Sequence, residues 1–145
     1  MPLAHGLQGE IALAGNHLDE AIAEFEQERA ANPLEPTVYD RLGDAYGRAA
    51  RYGEAQARLQ EAVLLEPNAT GPYILLGKTM LKQGDAAGAA LYLDRAVKMD
   101  PENFMSHSLL GQAYRTMGRT EDAGRETAMA QKLQAASEPK LESLH

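Results

Sequence analysis

Residues 39–46 read YDRLGDAY, residues 73–80 read YILLGKTM, and residues 107–114 read HSLLGQAY. A ring, then Leu-Gly, then a large side chain returns every 34 residues. The pattern extends beyond these stretches. Glycines stand at 9, 43, 77 and 111, alanines at 21, 55, 89 and 123, and prolines at 33, 67 and 101. The ring position is held by His5, Tyr39, Tyr73 and His107. Three residue classes sharing one period mark an internal repeat, and a period of roughly 20–50 residues marks a solenoid or array.

Within a unit, two helical patterns flank a break. Tyr39, Leu42 and Tyr46 have the spacing of one helical face. A turn is expected at Arg51-Tyr52-Gly53, with equivalents at Gln83-Gly84-Asp85 and Met117-Gly118-Arg119. The second helix runs through Ala55, Leu59 and Ala62 and stops at Glu66-Pro67, because proline disfavours helical geometry in the residue before it. Each unit is therefore a helix hairpin. Gly43 and Ala55 lie on opposite sides of the turn, where small side chains let two helices cross closely. A mid-helix glycine costs about 1 kcal/mol against alanine, so its recurrence points to tight packing.

These residues resemble the tetratricopeptide repeat, whose 34-residue pattern runs aromatic, Leu-Gly, Tyr, Ala, Phe, Pro. Residues 36–69 carry Tyr39, Leu42, Gly43, Tyr46, Ala55, Leu59, Ala62 and Pro67. Residues 70–103 carry Tyr73, Leu76, Gly77, Met80, Ala89, Leu93, Ala96 and Pro101. The outer units, 2–35 and 104–137, depart from the pattern. His5, Gln8 and Ala12 stand where larger groups are usual, Thr127 replaces a ring and Ala135 replaces a proline. The resemblance implies an all-α fold, a right-handed solenoid of four antiparallel hairpins ending in a capping helix. One array over 1–137 is expected, with 138–145 as a loose tail. The first helix is weakly specified.

Composition narrows the function classes. With 145 residues, 44% hydrophobic and 24% charged, the chain has the make-up of one folded domain. Fourteen Lys and Arg against 21 Asp and Glu give a formal charge of −7, which disfavours nucleic-acid binding. Cysteine is absent, so there is neither a disulfide framework nor a thiolate metal site. No apolar run reaches the roughly 18 residues needed to span a bilayer, and MPLAHGLQGE has no secretory pattern. A complete chain would be cytoplasmic, and a fragment of an exported protein would fit the periplasm. The sequon at Asn68 reads most simply as a turn.

No phosphate loop, dinucleotide fingerprint, nucleophile elbow or zinc-binding HExxH occurs, so neither catalysis nor a cofactor is expected. Asp40 and Asp44 share a helix face, but an exposed polar face explains them without chemistry. The family resemblance implies instead a groove that holds a peptide or partner segment, lined by the first helix of each unit. Carried over position by position, it includes Asp40, Asp44 and Arg48 in the second unit. The third contributes Ile74, Lys78, Leu81 and Lys82, and the fourth Met105, Leu109, Gln112 and Arg115. Leu3 and Glu10 hold such positions in the first unit. The Lys/Asn clamp with which some relatives grip a C-terminal carboxylate is not matched, since Asp40 and Asp44, Gly6 and Glu10, or Ile74 and Lys78 stand there. Glu10, Asp40 and Asp44 make the early groove acidic, whereas Lys78, Lys82 and Arg115 make the later part basic. The expected partner is a protein or peptide, acidic and apolar where it meets the later half. The alternative is a scaffold whose terminal helices stack on another copy, giving a weak homo-oligomer rather than a monomer.

Overall fold

The computed structural model describes residues 2–138; nearly all of the expected tail, from 139 on, lies outside the described residues, as do the side chains of Leu3 and His5. Eight helices follow one another: α1 Pro2–Ala14, α2 Leu18–Ala31, α3 Pro36–Arg48, α4 Tyr52–Leu65, α5 Thr70–Lys82, α6 Ala86–Met99, α7 Phe104–Thr116 and α8 Thr120–Ser137. No strand occurs among the described residues. Each odd-numbered helix packs on the next even one, and each hairpin stacks on its neighbour.

Local chemistry sets the helix ends. Pro36 opens α3, while the Glu35 carboxylate accepts from the Thr37 amide at 3.5 Å. Asp85 caps α6 through the Gly88 amide at 2.9 Å, and Asn103 caps α7 through Met105 at 3.0 Å. Between the helices of a hairpin the chain turns through one left-handed residue: Asn16, Ala50, Gly84 and Gly118, with φ of 60°, 58°, 82° and 79°. The following amide then reaches back to a carbonyl five residues earlier, as Arg51 does to Tyr46 at 2.8 Å. The second turn is thus Ala49-Ala50-Arg51. It does not fall at Arg51-Tyr52-Gly53, because Tyr52 and Gly53 are already helical. Ala50 takes the strained backbone that glycine supplies in the later hairpins.

The repeating glycines are sockets. A β-carbon on Gly43 would stand 2.4 Å from Leu59, one on Gly77 2.3 Å from Leu93, and one on Gly9 2.6 Å from Phe25. The glycine therefore meets the side chain 16 residues later, not the alanine 12 later as its spacing suggests. Ala55 is itself fully buried beside that contact. Phe25, Leu42, Leu59, Leu76, Leu93 and Leu110 are nearly solvent-free, so every hairpin contributes at least one fully buried large side chain.

The ring of the opening motif has a separate task. Tyr39 Oη donates to the Pro33 carbonyl at 2.7 Å, and Tyr73 Oη to Pro67 at 2.8 Å. His107 Nε2 does the same to Pro101 at 2.7 Å, while its Nδ1 lies 2.6 Å from Glu126 Oε2. Each ring ties its helix to the loop that leads into it, and so fixes one hairpin against the last.

Candidate functional site

The array has an inner side, and its packing shows which. α3 touches α5 and α5 touches α7, whereas the even-numbered helices make no comparable contact with one another. The odd helices therefore line the concave face, and their outward positions form the candidate groove.

In the early half the charges largely answer one another. Arg41 pairs with Glu10 across the α1–α3 seam. Asp44 Oδ1 meets Arg48 Nε at 3.0 Å, and Arg48 also reaches the Leu13 carbonyl at 3.5 Å. Glu10 and Asp44 thus do not give this end free negative charge, which is a correction to the reading of their sequence positions. Asp40 differs. It is half-buried beside Thr37, Leu13 and Leu75, and its buried Oδ1 has no hydrogen-bond partner. Desolvation, reinforced by the Glu66 carboxylate and opposed by Arg41, pushes its pKa up to about 6.

The later half is the reverse. Lys78 and Lys82 are exposed on α5 and make no ion pair among the described residues. They line a cleft of about 280 Å³ with Arg48, Tyr52 and Leu75. Arg115 is exposed on α7, its guanidinium 3.4 Å from Thr127 Oγ1. Gln112 is exposed one turn earlier, and Met105, 42% exposed, lies at the start of the same helix.

The apolar positions divide. Leu109 is only 8% exposed and belongs to the core with Met80, Leu93 and Leu110. It is not a groove residue, because the preceding hairpin covers it. Ile74 and Leu81 are half-buried and pack on that same core, so each offers one flank to the groove. Sequence periodicity marks which positions are equivalent but not how far a neighbour covers each. It also missed Tyr52, which lines the cleft with Leu75, Lys78 and Lys82. The period gave no signal for it, since Tyr52 opens α4 and the inner-face positions lie on the odd-numbered helices.

Residues 74–137 match one tetratricopeptide repeat model and residues 36–69 match another. The chain belongs to the tetratricopeptide repeat family. Among curated proteins, this tetratricopeptide repeat chain is 30% identical over 96 residues to the Hsp70-Hsp90 organizing protein of Triticum aestivum. That stretch is 66% of this chain but 16% of the relative. Among solved structures it is similar to MamA, with a TM-score of 0.84, 19% identity, and coverage of 88% of this chain and 75% of that one. It is also similar to the first TPR of Spaghetti (RPAP3) bound to HSP90 peptide SRMEEVD. There the TM-score is 0.78 and identity 21%, covering 81% of this chain and 93% of the other. These structural likenesses establish a shared fold. No helix among the described residues is long and apolar enough to cross a membrane.

Proposed function

We propose that the chain is a non-catalytic interaction module that holds an extended peptide or partner segment along the inner face of α3, α5 and α7. The observation that carries this reading is the set of unpaired cations Lys78, Lys82 and Arg115 on α5 and α7, with Met105 exposed on α7, whereas Glu10, Arg41, Asp44 and Arg48 are paired within the fold. Such a surface suits acidic side chains interleaved with apolar ones. Peptide binding by the RPAP3 repeat supports the mode of recognition, although the matching clamp residues are not present in this chain. Charges at the edge of an interface mainly set association rate and salt dependence, and buried apolar anchors set dissociation.

The test is a displayed peptide library screened on the purified chain, followed by kinetics on the selected peptides. Acidic-apolar sequences are expected to emerge. Lys78→Glu combined with Lys82→Glu should slow their association several-fold and flatten its salt dependence, with the helical circular dichroism unchanged. Association at the original rate would exclude this face as the binding surface.

A further inference from the structure

The inner face carries unanswered charge at two places, and the signs differ. In the early half, Glu10 and Asp44 have their own guanidinium partners in Arg41 and Arg48. Asp40 has none: its Oδ1 is enclosed without a hydrogen-bond donor, its outer carboxylate oxygen has no partner among the described residues, and Glu66 adds further negative charge nearby. Buried carboxylate oxygens are ordinarily satisfied, and leaving one unmet is unfavourable. One helix further on, Lys78 and Lys82 are cations without carboxylate partners among the described residues. No group of side chains suited to a metal ion occurs among the described residues, so a donor for the outer oxygen of Asp40 is better sought in a partner's N–H.

We propose that the groove selects a charge-segregated peptide, whose basic side chain seats on Asp40 while acidic side chains about three to five residues away meet Lys78 and Lys82. This deepens the groove reading above and rests on it. The spacing follows from helix geometry. Packed helices stand about 8–10 Å apart. Ile74 is the equivalent of Asp40, and Lys78 lies four residues beyond it, about 6 Å along the axis. The diagonal is about 11 Å, which an extended chain covers in about three residues. Arginine suits the seat best, since its planar fork offers paired N–H donors to one carboxylate.

The test uses fluorescence anisotropy with labelled synthetic peptides. One carries an acidic-apolar block alone with glutamine three residues away, and a second replaces that glutamine with arginine. On the native chain the arginine peptide should bind at least about tenfold more tightly than its glutamine twin. Asp40→Asn should bring that ratio to one, and lowering the pH to about 5 should shrink it to about twofold, since Asp40 is then mostly protonated while the peptide's glutamates stay largely charged. Equal binding of the twin peptides to the native chain, or a ratio that survives Asp40→Asn, overturns the inference and leaves the groove reading standing. If neither peptide binds, or if Lys78→Glu with Lys82→Glu leaves both unaffected, the groove reading falls and the inference with it.

Discussion

Ile11 on α1 is 64% exposed, whereas its equivalents in the next three hairpins, Ala45, Thr79 and Ala113, are all covered by a preceding helix pair. Leu7, 60% exposed, shares that open face. At the other end the outer residues of α8 are Thr120, Gly124 and Gln131, in the places where α6 presents the buried Ala86 and Ala90 and the half-buried Val97. A solenoid stays in solution when its terminal surfaces are polar, and only the C-terminal one is finished in that way. The halves differ inwardly too. The later hairpins turn through glycine and leave Lys78, Lys82 and Arg115 of the inner face without ion pairs among the described residues; the earlier ones turn through Asn16 and Ala50 and pair most of their inner-face charges. One scaffold thus carries a well-made half and a half that tolerates departures.

The largest expected effect tests that contrast directly. Gly77→Leu forces a branched side chain into the Leu93 contact and should lower stability by more than about 2 kcal/mol in urea melts. Gly9→Leu meets Phe25 at a similar distance, yet should lose clearly less, because α1 is packed on one side only and can shift. Equal losses would show that the first hairpin is held as firmly as the third.

A smaller effect follows from Asp40. Its folded pKa, about 6 against an ordinary 3.8, means the fold disfavours the carboxylate. Below about pH 3.8 both states are protonated and nothing is lost. As pH rises from there to 6 the unfolded chain gives up its proton first, stability falls, and above 6 the whole loss is present. Asp40→Asn should therefore stabilise the fold at pH 8 by about 1 kcal/mol, a figure reduced for solvent screening, and have no effect near pH 3.5. Urea melts at the two pH values check this; an equal gain at both would remove the ionisation account.

Backbone strain gives a comparable but slightly smaller prediction of opposite sign in the two halves. Ala50→Gly should stabilise by about 0.5–1 kcal/mol in thermal melts, since the left-handed region penalises a β-carbon. Gly84→Ala should destabilise by a similar amount. The smallest effect is Ile11→Gln, expected within about 0.5 kcal/mol of the native chain in urea melts. A larger loss would mean that this face is not open in solution.

The hairpins and the solenoid were legible because residue types repeat with the backbone they serve. What the period could not give was the partner of each position. Gly43 and Ala55 both recur, yet the glycine's contact is Leu59, since helix crossing depends on how side chains lean and not on which residues are small. Leu109 and Arg41 occupy equivalent positions, but Leu109 enters the core while Arg41 turns to Glu10. The side chain's chemistry, against one particular neighbour, decides between those outcomes. Asp40 was visible as an acid on the inner helix, but its unmet oxygen required the three-dimensional surroundings.

The ties between rings and loops bear on how such an array changes length. Each glycine socket and the side chain that fills it lie inside one hairpin, and Tyr39, Tyr73 and His107 each reach a proline carbonyl six residues before them. Excising residues 70–103 would bring Pro67 to six positions before His107, the separation that Pro101 has now. The joined chain would keep every socket and rebuild the clip at its new seam. Gain or loss of a whole unit therefore disturbs no internal fit, whereas adding or removing a few residues breaks the clip at once. The array can be lengthened or shortened only in complete steps.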